Sequence, residues 1–433
     1  MMGSIMTIVK TNAWLGVAIV VISIGLYQFV EPAPPREITM ATGGRDGYYH
    51  ALGTYLKDGL QSEGVELNLV LTAGSGENME LLTDPDSEVS VAFIQSGMEQ
   101  VFDLGETTLA SLGGLYYEPI WLFYRRAIEL DSAWDLKGLR VAVGAKGSGV
   151  RAVVEYLMAE NGLPDAGDGL VPVEAGGKNA VDLLRAGEID AAFFTVSPLS
   201  KTIQSLIDMP EIDFLDIRRS EAYAARNPFL SSVSITEGLL DLEHNIPPEN
   251  RTTLASTATL VVNDRFHPAL TPLVLDILAQ RLREGGILER PGEFPSTRNV
   301  GISLTKEAEH YLEQGPSFLM RYLPFWAASL VDRLVIFVVP LLVIVIPLIK
   351  LAGPLYRWRI RSRIYTWYRH LQETERKFVE GKIENPKEEV HRLDMLTEEL
   401  ASLDVPLSYA DELYELKEHI AYVRGRLVSG QGI

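Results

Sequence analysis

The hydrophobic pattern divides the chain into two unbroken apolar stretches, an alternating middle and a helical tail. Residues 13–30 (AWLGVAIVVISIGLYQFV) carry no charge, and residues 334–351 (LVIFVVPLLVIVIPLIKL) carry only Lys350 near their end. Each is about 18 residues long, enough to cross a bilayer as a helix. Pro340 and Pro347 would break a soluble helix but are tolerated as kinks in a membrane one.

Between these stretches, short β-branched runs alternate with amphipathic ones. A strand beginning at Ile38 (ITMA) meets a turn with Gly43, Gly44 and Gly47, then a helix through Tyr49, Leu52, Tyr55, Leu56 and Leu60. VELNLVL at 65–71 leads through the turn 72–76 to a helix with Met79, Leu81 and Leu82, and VSVAFI at 89–94 ends at Gln95, Ser96 and Gly97. After the apolar run 113–124 the first arrangement recurs as LRVAV at 139–143, the turn 144–149 and a helix over 150–160. A helix over 179–186 precedes a strand over 189–194 that ends at Thr195, Val196, Ser197 and Pro198, where the proline suits the start of a helix over 199–207. Residues 212–248 read as irregular, 257–262 as a strand and 269–283 as a helix. Such alternation predicts an α/β fold with a mainly parallel sheet covered by helices.

The tail, 352–433, shows three helical stripes. Ile364, Trp367, Leu371 and Phe378 share one face, and Val390, Leu393, Leu396 or Thr397, Leu400 and Leu403 form the second. Leu413, Leu416, Ile420, Val423 and Leu427 keep heptad spacing, with a cap at Ser408 and Asp411. A small helical hairpin or a coiled coil is expected, the latter offering self-association through the tail.

Charge fixes an orientation. Lys10 precedes the first apolar stretch and the acidic, proline-rich EPAPPRE follows it; Lys350, Arg357, Arg359, Arg361 and Arg363 crowd the far end of the second. By the positive-inside rule both termini are cytoplasmic, and the middle lies in the periplasm or on the extracellular side of the inner membrane. A cleaved signal peptide competes with an uncleaved anchor at 13–30, but no A-x-A site follows the apolar run. The expected organisation is a cytoplasmic segment 1–12, an anchor 13–30, a linker 31–37, an outer domain 38–330, a spanning helix 334–351 and a cytoplasmic tail 352–433.

Composition excludes several functions. A net charge of −19 opposes nucleic-acid binding, and the absence of cysteine removes thiolate catalysis and Cys-ligated zinc. The seven histidines are scattered without metal-ligand spacing, and no G-x-S-x-G elbow occurs. Lys146 precedes Gly147 and Ser148 instead of following as in a phosphate-binding G-K-[ST] loop, and the turn at Gly74 misses the last glycine of a dinucleotide fingerprint. No enzyme, cofactor or metal is expected. What the chain offers is hydroxyls, an amide, aromatic rings and glycine amides at strand ends, where ligands bind in open α/β sheets: Tyr48, Tyr49, Ser75, Gln95, Ser96, and the donors around Gly147 and Ser148. That is equipment for holding a small molecule without transforming it.

Six segments together resemble the TAXI family, the extracytoplasmic solute receptors of TRAP transporters: ATGG…GYY at 41–49, AGSGEN at 73–78, VAFIQSG at 91–97, YEPIWLFYR at 117–125, VAVGAKGSG at 141–149 and LLRAGEIDAAFF at 183–194. The resemblance covers about 38–283. It implies a two-lobed type II periplasmic-binding-protein fold, with lobes of about 36–120 plus 214–329 and 121–213, closing on a carboxylate-bearing solute such as glutamate. Delivery to membrane permease subunits of a TRAP-type transporter would follow. The ligand contacts it implies are Gly44, Tyr48, Tyr49, Ser75, Gln95 and Ser96 from one lobe and Gly147, Ser148, Val150, Thr195 and Ser197 from the other. Two departures stand out: Arg45 and Asp46 occupy a first turn usually built of small residues, and Val150 replaces a usual threonine, leaving only its amide. Tethering at both ends by two transmembrane helices admits an alternative, a sensor in which lobe closure shifts the second helix and the tail reports to a cytoplasmic partner.

Overall fold

In the computed structural model the described residues are 13–28, 32–102, 108–132, 135–163, 170–383, 385–401 and 410–429. Expectations placed on the segment 1–12 with Lys10, on residues 29–31, on Leu403 and on the Ser408 cap lie outside them. The elements run α1 (Ala13–Tyr27), β1 (Glu37–Ala41), α2 (Tyr48–Ser62), β2 (Glu66–Val70), α3 (Ser75–Thr83), β3 (Val89–Gln95), β4 (Ala110–Arg125), β5 (Arg140–Ala142), α4 (Gly149–Glu160), β6 (Val171–Val173), α5 (Gly177–Ala186) and β7 (Ala191–Thr195). They continue with α6 (Lys201–Ile207), β8 (Ile212–Phe214), α7 (Ser220–Arg226), β9 (Ser231–Ile235), β10 (Arg251–Val262), α8 (Thr271–Leu282), α9 (Lys306–Gln314), α10 (Phe318–Tyr322), α11 (Phe325–Val379), α12 (Pro386–Ala401) and α13 (Ala410–Ser429). Two compact units result: Pro32–Val331, and Met1–Glu31 with Asp332–Ile433.

The first unit is mixed α/β. Its strands follow the order β2-β1-β3-β10-β4-β7-β5-β6, with β9 added to β10 and β8 to β4. Pairing is parallel among β2, β1 and β3 and among β6, β5 and β7, whereas β10 and β4 run antiparallel to their neighbours. Strand β4 belongs to both halves of the sheet: residues 110–119 pair with β10, and residues 120–125 with β7 and β8. Each half therefore repeats one rule. The second, first and third strands of the half are followed by an antiparallel strand from elsewhere in the chain, and then by a fourth. Helices α2 and α8 bury Leu52, Leu56, Leu60, Leu273, Val274 and Leu278 with Phe93 and Leu260 on one face of the first half; α3 covers the other with Met79 and Leu82.

Two expectations are corrected. The region 212–248, expected to be irregular, contains β8, α7 and β9, and β10 starts at Arg251, six residues before the expected strand at 257. Strand β9 and the start of β10 are polar yet paired, and β8 is only three residues long, so a search for long apolar runs passes over them. In β10 the hydroxyls of Ser256 and Thr259 donate to the carbonyls of Glu118 and Ile94, at 3.3 and 2.7 Å, which lets them sit inside a sheet. Arg251 is buried against Asp213, 2.7 Å away, at the edge where β8 begins.

Near the end of this unit the first turns of α11 are docked in the core. Phe325 and Ala328 are buried, the Trp326 indole donates to the Glu63 carbonyl at 2.7 Å, and the Arg36 guanidinium lies 5.4 Å from that ring. Among the described residues one helical segment, Phe325–Leu351, is long and apolar enough to cross a membrane, beginning nine residues before the expected 334; the apolar part of α1, Gly16–Tyr27, is shorter. Pro340, Pro347 and Pro354 all lie inside α11. In the second unit the end of α11 packs with α12 and α13 around Leu371, Leu393, Leu400, Leu416, Ile420, Val423 and Leu427. The three stripes form one internal core.

Candidate functional site

Three turns meet where the strands of the first half end. The Thr72 hydroxyl donates to the Asn78 side-chain oxygen at 2.6 Å, with the Thr42 carbonyl 3.0 Å away as the other acceptor for its one proton, and the Asn78 amide donates to the carbonyls of Thr42 and Phe93. Asn78 is fully buried, so this network locks the turns after β1 and β2 to the end of β3. It places the first residues of α2 and α3 side by side. The Tyr49 hydroxyl lies 3.4 Å from the Ser75 hydroxyl, whose oxygen accepts the Gln95 backbone amide at 2.9 Å.

Beneath them lies Glu118, on β4. Tyr49 donates to one of its carboxylate oxygens at 2.9 Å and Tyr116 to the other at 3.4 Å. Burial pushes the Glu118 carboxyl up to about 7, against the pull of these two hydroxyls. Burial and the neighbouring carboxylate drive both phenols well above their ordinary range. Tyr49 stacks on Phe93 with ring centroids 5.1 Å apart, and the partly exposed Tyr48 meets Tyr116 edge-on at 4.7 Å.

The second half supplies a matching turn. Ser148 caps α4 by accepting the Arg151 amide at 3.4 Å, and its own proton goes to the Ala145 carbonyl at 2.7 Å. This turn touches the first half at two glycines. A Cβ on Gly76, in the first turn of α3, would overlap the Gly147 carbonyl oxygen, and one on Gly149 would overlap the Gln95 side-chain oxygen. Only glycine permits that approach. Gln95 is buried and its side-chain nitrogen has no partner, as do the hydroxyls of Thr195 and Thr257. A side-chain donor with nothing to bind thus sits beside the start of α4, whose first-turn amides carry partial positive charge.

The expected contacts are placed unequally. Tyr49, Ser75, Gln95, Gly147 and Ser148 gather at this junction, and Tyr48 borders it. Gly44 is exposed in the turn before α2, with its carbonyl held by the Gly47 amide at 2.8 Å. Val150 packs its side chain on the core of the second half. Ser96 spends its proton on the Phe229 carbonyl at 2.9 Å and accepts the Thr257 amide at 2.8 Å, so it ties β3 to β10. Thr195 ends β7 opposite Ile120, two residues from Glu118, and the Ser197 hydroxyl oxygen accepts the Leu199 amide at 3.3 Å. Sequence reasoning missed Glu118, Tyr116 and Asn78. A lone acid inside the otherwise apolar strand run 113–124 was the available signal for the first. Among the described residues no cluster of three or more His, Asp or Glu side chains could hold a metal ion.

Comparison with known proteins gives a family and distant structural likenesses. The NMT1-like family matches residues 40–271, a little over half of the 433-residue chain. No curated protein matches significantly. Among solved structures, a protein of Bordetella bronchiseptica RB50 aligns with a TM-score of 0.39 and 16% identity, over 70% of this chain and 99% of its own. The periplasmic aliphatic sulphonate binding protein SsuA from Escherichia coli aligns with a TM-score of 0.36 and 10% identity, over 75% and 94%. A putative L-cystine ABC transporter from Listeria monocytogenes gives 0.38 and 15%, over 63% and 99%.

Proposed function

The chain belongs to the NMT1-like family, and we propose that its unit Pro32–Val331 is the solute receptor of a TAXI-type TRAP transport system. In this reading two lobes of the type II periplasmic-binding-protein kind, about 36–120 with 214–329 and 121–213, close on a small solute outside the inner membrane. They then pass it to permease subunits. The segments 13–30 and 334–351 tether the receptor with both termini in the cytoplasm. The contact set is Gly44, Tyr48, Tyr49, Ser75, Gln95, Ser96, Gly147, Ser148, Val150, Thr195 and Ser197, and it binds without chemistry.

One observation carries the reading: helix starts from the two halves of the sheet meet at Gly76–Gly147 and Gln95–Gly149, with the Gln95 nitrogen unpaired between them. The shared strand β4, about which such halves can hinge, and the repeated strand order support it. First-turn amides of α3 and α4 suit the carboxylate group of a solute.

The test is isothermal titration of the full chain in lipid nanodiscs against small carboxylates including glutamate. Saturable binding without turnover, abolished by Ser148→Trp, is expected. A folded chain that binds none of them overturns the reading. The sensor alternative is retained because α11 begins in the core of the outer unit and ends in the tail bundle. Solute-dependent hydrogen exchange in residues 386–429 would favour sensing, and its absence would favour delivery.

A further inference from the structure

Glu118 is a buried carboxylate without a counter-charge. It is 7% exposed, and among the described residues no Lys, Arg or His forms an ion pair with it. Two phenols donate to it, one of them at the long distance of 3.4 Å. An ionised carboxylate accepts about four hydrogen bonds, so half of its capacity is unfilled. A structural acid in a core is ordinarily matched by a base or saturated by donors, since a buried charge is otherwise costly.

Its location points outward from the core to the strand ends. The carboxylate is one hydrogen bond from Tyr49 in the first turn of α2, and the Tyr49 hydroxyl is 3.4 Å from Ser75 at the start of α3. Ser75 in turn holds the Gln95 backbone amide, and the Gln95 side chain reaches Gly149 of the other half. The acid therefore underlies the junction at which the halves meet. Beside it the Tyr116 ring meets Tyr48 edge-on, and Tyr48 is 39% exposed, so an aromatic pair leads from the carboxylate towards solvent. Aromatic faces attract cations. Carboxylate and rings together form a receptor for positive charge with several N–H donors.

We propose that Glu118 is a binding residue that accepts hydrogen bonds from a cationic nitrogen of the solute, an ammonium or amidinium, held against the Tyr48 and Tyr116 rings. The assignment rests on the receptor reading of the same site and adds a requirement to it. The helix starts of α3 and α4 favour an anionic group and Glu118 a cationic one, so a solute that fits both carries both charges.

The experiment titrates the full chain in nanodiscs with four probes: glutamate, glutarate, 4-aminobutyrate and 1,4-diaminobutane. Binding is expected for glutamate and 4-aminobutyrate, which carry both charges, with glutarate and 1,4-diaminobutane weaker than glutamate by at least roughly a hundredfold, since a site built for a hydrogen-bonding group rejects the analogue lacking it. Glu118→Gln keeps the shape, and its one side-chain oxygen can still accept from Tyr49; it should lower glutamate affinity by roughly ten- to a hundredfold while leaving glutarate equal or tighter. Glutarate binding wild type as tightly as glutamate overturns the assignment, and that comparison needs no variant to fold. Unchanged discrimination in a folded Glu118→Gln chain overturns it as well. A folded wild-type chain that binds no probe fails differently: it removes the receptor reading, and this assignment with it.

Discussion

Tyr49 donates its hydroxyl to Glu118 across 2.9 Å, joining the first turn of α2 to the strand that both halves of the sheet share. The bond satisfies a phenol that would otherwise be stranded in the core. It also holds an acid where burial opposes its ionisation.

That opposition has a pH signature. With the Glu118 carboxyl raised to about 7 from an ordinary 4.5, the folded chain holds a proton that the unfolded chain has lost between these values. Stability is therefore full below pH 4.5, falls as pH rises through 7, and stays lower above it, by roughly 3 kcal/mol for a shift of this size. Glu99 and Glu289 are raised by burial in the same direction, so the wild-type slope is a sum. The difference between wild type and Glu118→Gln isolates Glu118. Thermal melting from pH 4 to 8 should show the variant gaining on wild type as pH rises, and parallel curves would show that Glu118 contributes nothing to the slope.

Asn78 should be the costliest polar side chain to remove near the site. Asn78→Ala strips the Phe93 carbonyl of its side-chain donor and leaves the Thr72 hydroxyl only its longer contact to the Thr42 carbonyl, around a fully buried position. A loss of roughly 2–4 kcal/mol is expected in urea unfolding, from hydrogen bonds lost in the interior together with the space left behind. An effect below about 1 kcal/mol would mean that water fills the gap.

The α/β class was legible because the strand cores 38–41, 65–71, 89–94 and 189–194 are apolar runs beside glycine turns, where local pattern and tertiary role agree. Ser75 and Gln95 could be found for the same reason, as residues at strand ends. Glu118 could not be assigned a role: its partners Tyr49 and Tyr116 come from a helix 69 residues away and from its own strand, and only folding shows that no base joins them. Ser96 illustrates the converse. It stands at a strand end, as a ligand contact would, but its proton is committed to Phe229, 133 residues on. Segment β9, SSVSI, was invisible because its pairing with β10 stabilises residues whose own pattern is polar.

Gly76→Ala should separate closure from stability. The added methyl group meets Gly147 backbone atoms, which have no flexible end to move away, so the two halves must part. Alanine is also the better helix residue, by roughly 0.5–1 kcal/mol. The expected result is a larger radius of gyration by X-ray scattering and at least a tenfold loss of solute affinity, with a melting temperature equal to or above that of wild type. Gly425→Ala in α13, outside the contact set and with nothing within 4 Å of an added Cβ, is the control and should change neither the radius of gyration nor the affinity. Reduced stability without expansion would show that the contact gives way locally.

The tail makes a separate prediction, because its apolar stripes are used inside the chain. Leu416 is fully buried with Leu371 and Leu393 in a bundle drawn from three helices. Leu416→Ala should therefore cost roughly 2–5 kcal/mol, comparable to the whole stability of so small a core. By contrast Arg424 and Asp394 form an ion pair of 2.6 Å with both side chains 46% exposed, and Arg424→Ala should cost less than about 1 kcal/mol. Hydrogen exchange in nanodiscs can read both variants. In the leucine variant, protection should vanish across residues 386–429 and remain in Pro32–Val331, because the tail closes its own core. If the heptad face instead served an interface between copies, Leu416→Ala would first lower the mass of the assembly and leave exchange in each monomeric tail unchanged.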